Sequence, residues 1–178
     1  AQNQWAMFAR ATVLGLGIAN PTATGTVALA NQTDSTYVSN TTAAGAGSGA
    51  ALIGVTGACQ LQHDPILNVI MRTDASITGA RFFFGLTDSN FTNADEPGGT
   101  SEFVTFRYST VVPDSGWVGL SRDGTTASAS AQVAAIAAST RSRFTIQVTG
   151  TGTSVAFSIN GGTVVTKTTN LPAIATNL

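Results

Sequence analysis

Between Arg143 and Val165 the sequence reads RFTIQVTGTGTSVAFSINGGTVV, with apolar residues at every second position on both sides of a Thr-Gly-Thr-Gly turn. Successive side chains of an extended chain point to opposite faces, so this rhythm specifies strands and is incompatible with a helix. Phe144, Ile146 and Val148 share one face against Arg143, Thr145 and Gln147; Val155, Phe157 and Ile159 then oppose Ser154, Ala156 and Ser158. Strands that are apolar on one side and polar on the other belong to antiparallel sheets with one face on a core. Asn160-Gly161-Gly162 supplies residues that accept positive φ, as a type I′ or II′ hairpin turn requires. A two-residue turn at this point places Val164 on the face of Phe157 and Ile159.

The rest of the chain repeats the pattern in short pieces. Trp5–Leu14 reads as an opening strand and Thr24–Ala30 as a second, weaker one; SNTTAAGAGSGA, residues 39–50, has no side chain able to anchor a core and reads as a flexible surface loop. ILNVIMR (66–72) is nearly continuous in apolar residues, which predicts a strand in mid-sheet, buried on both faces. ARFFFGLT (80–87) alternates, yet its second face also carries Phe83; the turn-rich DSNFTNADEPGGTS (88–101) follows as a long loop. Strands resume at 102–109, 116–122 and 125–131, the last two joined by an Asp123-Gly124 turn, while QVAAIAAS (132–139) reads as irregular with at most a helical turn. Pro172 ends the strand that leaves the final hairpin. About ten to twelve short strands separated by turns, in a chain of this length, predict an all-β, antiparallel two-sheet sandwich.

With 178 residues the chain is long enough to bury a core without disulfides, and one domain spanning residues 1–178 is the expected organisation. Charged residues make up only 10% and the net charge is −1, so the surface is hydroxyl-rich and no basic patch is available for nucleic acid. No apolar run approaches the ~20 residues that a membrane-spanning helix needs. Cys59, the single cysteine, reads as a small buried hydrophobe.

The order ARFFFGLTDSN, EFVTFRYST, GWVGLSRDGTT, RSRFTIQVTGTGTSVAFSINGGTVV, TTNLP resembles the concanavalin A-like, lectin-like jelly-roll domains of tailed-bacteriophage structural proteins, well over residues 66–172 and loosely before them. The resemblance implies a jelly roll without catalysis or cofactor, working as a virion component on the particle surface. An external capsid decoration or head-fibre protein is the preferred form; a tail-fibre receptor-binding or carbohydrate-binding module is the alternative. Its partners would be the major capsid protein or fibre subunits, further copies of itself, a trimer among the options, and in the alternative a host-surface glycan. Such domains close with one more strand after TNLP, so with the sequence ending at Leu178 that strand is expected to be missing, disordered or supplied by a partner.

Chemistry-bearing residues are sparse. Glycoside hydrolysis on a sandwich needs two carboxylates about 5–9 Å apart across a cleft. The only glutamates, Glu96 and Glu102, instead flank a flexible Pro-Gly-Gly loop. His63, the sole histidine, reads as an exposed turn residue beside Asp64 and Pro65 rather than a catalytic base. The oxygen-rich loop with Asp88, Asn90, Asn93, Asp95 and Glu96 is the one candidate for Ca2+, although its spacing is not that of an EF-hand and a solvated turn explains it as well. Trp117, Tyr108 and Phe106 form a candidate sugar-stacking platform, set against a core role suggested by the shared parity of Phe106 and Tyr108 with Val104. Trp5 and Phe8 are candidate contacts to a neighbouring subunit.

Overall fold

A computed structural model describes residues 26–32, 35–41, 59–88 and 100–178. The chain divides into two compact units, Ala1–Val55 with Asn90–Ala94 and Thr56–Ser89 with Asp95–Leu178. In the first, β1 (Thr26–Gln32) pairs antiparallel with β2 (Ser35–Thr41) over seven residues each. The expected loop 39–50 therefore begins later than its composition suggested, because Ser39–Thr41 belongs to β2: a ladder is made by backbone groups and does not require anchoring side chains. The proposed strand Trp5–Leu14, with Trp5 and Phe8, lies outside the described residues.

The second unit is an all-β sandwich of two antiparallel four-stranded sheets, opened by a short 3-10 turn at Leu61–His63. One sheet has the order β10-β9-β8-β3 and the other β4-β5-β6-β7. The strands are β3 (Ile66–Arg72), β4 (Arg81–Thr87), β5 (Glu102–Ser109), β6 (Trp117–Asp123), β7 (Ala127–Ala134), β8 (Arg141–Thr149), β9 (Ser154–Ile159) and β10 (Val165–Lys167). The alternation of β8 and β9 is realised as read: Phe144, Ile146, Val148, Val155, Phe157 and Ile159 are all buried in one core, with Phe82 and Phe84 packed against it. Val104, Phe106, Tyr108 and Trp117 complete that core from the facing sheet.

Three expectations are corrected. Among the described residues β3 is an edge strand, not a central one: Leu67, Val69 and Met71 pack on the core while Ile66 is 59% exposed. A continuous apolar run specifies extended chain without specifying a lateral position in the sheet. The segment 132–139 is irregular as read only from Ala135 onward, since β7 runs on through Ala134. And Val164 does not share the face of Phe157. Ile159–Gly162 does make the type I′ turn, with φ of 54° at Asn160 and 70° at Gly161 and the Gly162 N–H donating to the Ile159 carbonyl. Pairing resumes only at Val165, opposite Phe157, so one extra residue on the return side reverses every face of β10. Val164 is accordingly exposed and Lys167 points inward.

The Phe157 ring of one sheet lies directly against the backbone of the other at Gly119 on β6. A Cβ at this position would lie 2.5 Å from the Phe157 ring, so only glycine lets that ring cross from the opposite sheet. The β6–β7 register shifts around Gly119, and its N–H donates to the Ser130 hydroxyl at 2.9 Å. Gly119→Ala is expected to lower stability by about 1–3 kcal/mol through overpacking, read as an earlier urea midpoint. A second substitution, Phe157→Leu, should recover part of that loss in the double variant and not in the wild type.

Candidate functional site

The structure places the candidate aromatic platform inside the protein. Trp117 is 3% exposed and Tyr108 7%, and Phe106 is fully buried. Trp117 sits in a cage of rings, 4.8 Å from Phe144, 5.6 Å from Phe82 and 6.0 Å from Tyr108 between centroids. Parity explains the placement: these residues fall on the core face of β5 and β6, so no ring face is turned outward for a sugar to stack on.

Of the Ca2+ candidates only Asp88 lies within the described residues. Asp88 follows β4 and its N–H donates to the Glu102 carbonyl, while its Oδ1 is buried with no hydrogen-bond partner. Asn90, Asn93, Asp95 and Glu96 lie outside the described residues. Among those described, no three His, Cys, Asp or Glu side chains cluster. Glu102 accepts the Ala173 N–H at 2.9 Å, a structural tie to the C-terminal segment. His63 is exposed in the 3-10 turn. Cys59 is half-buried, and burial pushes its thiol above the ordinary value, away from the reactive thiolate.

Two charged groups, Asp123 of the Asp-Gly turn and Lys167, are built into the fold. Asp123 closes the β6–β7 turn, accepting the Thr126 N–H at 2.8 Å, the Thr125 N–H and hydroxyl at 2.9 and 2.7 Å, and Asn170 Nδ2 at 3.4 Å. These hydrogen bonds, that of the Thr126 N–H first, hold its carboxyl well below the usual range. Because the folded value is the lower one, the carboxylate contributes stability that is fully present above the unfolded value, ~4, and is lost as pH falls further. Asp123→Asn should therefore flatten the dependence of the urea midpoint on pH below ~4 relative to wild type. Lys167 is buried, and its Nζ donates to Ser128 Oγ at 2.6 Å across the seam between β10 and β7. Burial lowers its ammonium below the ordinary value.

A partly enclosed cavity of about 170 Å3 opens at the end of the sandwich where β3, β8 and the end of β7 converge. Its floor is apolar, made by Met71, Trp117, Phe144 and Ile159. The room comes from small residues, Ala134, Ala135 and Ala137, and the rim carries Thr73, Thr140, Ser142 and Asn160. Thr73 Oγ1 donates to the Ala137 carbonyl at 2.6 Å and accepts the Thr140 N–H at 3.0 Å, pinning one wall to the end of β3. Asn160 Oδ1 accepts the Arg143 N–H at 2.8 Å and its Nδ2 donates to Ser142 Oγ at 3.3 Å, fixing the other. Strand alternation identified Phe144 and Ile159 as core; that they wall a void together with Trp117 follows from the alanines opposite them, which the sequence presents as an unremarkable run. Compared with known proteins, the chain matches no family model, no curated protein and no solved structure.

Proposed function

We propose that this chain is a non-enzymatic structural protein of a tailed-bacteriophage particle, an external capsid decoration or head-fibre protein on the virion surface, built as a concanavalin A-like jelly roll. One observation supports the reading most: the segments that carry the resemblance, from ARFFFGLT to SVAFSING, are consecutive strands of two facing sheets, β4–β6 and β8–β9. The large aromatics fill the core of that body, and the described carboxylates Asp114, Asp123 and Glu102 tie loops to it. What remains for the outside is a low-charge, hydroxyl-bearing surface, with charged residues at 10% of the chain. Such a surface accumulates little like-charge repulsion when many copies stand side by side on a symmetric lattice. Its partners in this reading are the major capsid protein and further copies of itself.

Purified particles test the proposal. The protein should co-purify with them at a fixed ratio to the major capsid subunit, and antibody-bound gold should decorate heads. Its absence from washed particles would refute a virion role, and label confined to tails would transfer it to a tail fibre.

A further inference from the structure

We propose that the cavity beside Trp117 is a binding site for a single-ring aromatic molecule bearing one hydroxyl, a ligand of the phenol class. Size sets the first limit: about 170 Å3 is available, and a dry apolar cavity of roughly 150 Å3 is known to hold benzene. The walls set the second. Trp117 and Phe144 already meet edge to face at 4.8 Å, with an interplanar angle of 71°, so an entering ring finds the offset and edge contacts that aromatics prefer.

The rim leaves one hydroxyl hydrogen unspent among the described residues. Thr73 and Thr140 donate their hydroxyl protons to the carbonyls of Ala137 and Ala138. Ser142 Oγ accepts from Asn160 Nδ2, and among the described residues its own O–H donates to nothing. That O–H is the rim hydroxyl hydrogen left for an oxygen atom of the ligand. A sugar, with a hydroxyl on nearly every carbon, would press several of them against Met71, Phe144 and Ile159 and incur a desolvation cost there. The mouth is flanked by the exposed residues Ala135 and Ala137, whose small side chains keep it open.

The test uses the full chain carrying Trp5→Phe, so that Trp117 provides the only indole N–H signal in NMR. Phenol and benzene titrated to millimolar concentration should each shift that signal saturably. Ala135→Phe, at an exposed position that tolerates bulk, should abolish both shifts, with a thermal melt confirming that the variant is folded; Ala137→Phe serves as a second plug. Ser142→Ala should weaken phenol by roughly three- to tenfold and leave benzene unchanged. Absence of any saturable shift in the unplugged protein would overturn the proposal, as would binding that survives both plugs. Glucose shifting the same signal as strongly as phenol would overturn the assigned ligand class.

Discussion

Phe144→Ala is expected to destabilise the sandwich by about 3–5 kcal/mol, at the upper end for removal of a core side chain. The ring comes from β8 and packs edge to face against three rings of the other sheet, Phe84 at 5.0 Å, Phe106 at 5.1 Å and Trp117 at 4.8 Å. It is 2% exposed, so its deletion forfeits burial and leaves a void that four strands would have to collapse to fill. The adjoining cavity makes collapse harder, because that side already lacks atoms to move inward. Phe144→Leu, which keeps much of the volume, should lose markedly less. Urea unfolding followed by Trp117 fluorescence measures both. A loss below about 1 kcal/mol for the alanine variant would mean that the sheets are not joined through this ring.

The second large effect is electrostatic. Arg107 and Asp114 form a bidentate pair at 3.0 Å for each contact, with only 8% and 7% of their side chains exposed, and Asp114 Oδ2 also accepts the Ser109 N–H at 3.0 Å. This carboxylate anchors the β5–β6 connection, where Ser109 Oγ further accepts the N–H groups of Val111 and Val112 and holds the two valines outward, 64% and 41% exposed. Asp114→Ala takes the bidentate acceptor from a buried guanidinium and releases the Ser109 N–H, and should lower stability by up to about 3–5 kcal/mol. The attraction within a buried pair is largely offset by the cost of taking both charges out of water. The double variant Arg107→Met/Asp114→Leu should accordingly be far less damaged than the single one. If the two variants are equally unstable, the loop is held by shape and hydrogen bonds and the charges matter little.

How much of this was legible beforehand varies with the kind of information each residue carries. Alternation fixes faces, so the core of β8 and β9 and the inward side of β5 could be read directly from Phe144, Phe157 and Phe106. It does not fix neighbours, which is why the apolar run of β3 concealed an edge position. Register across the last turn depended on one extra residue before Val165. The misplaced Val164 and the unforeseen burial of Lys167 are a single error, since both follow from the reversed parity of β10. Asp114 and Ser142 were invisible as functional elements because their partners are backbone groups or residues from neighbouring strands and turns, whereas Asp123 was legible as a turn residue from Asp123-Gly124. Asn90, Asn93, Asp95 and Glu96 were grouped with Asp88 by proximity in sequence alone.

Lys167 is the chain's single lysine; the other basic side chains are arginines and one histidine. With its amine tucked behind Ser128, amine-acylating reagents can reach it only when the seam between β7 and β10 parts. The rate at which this one side chain is acylated is then a clock for breathing of the sandwich edge, intrinsic to the molecule and needing no engineered label.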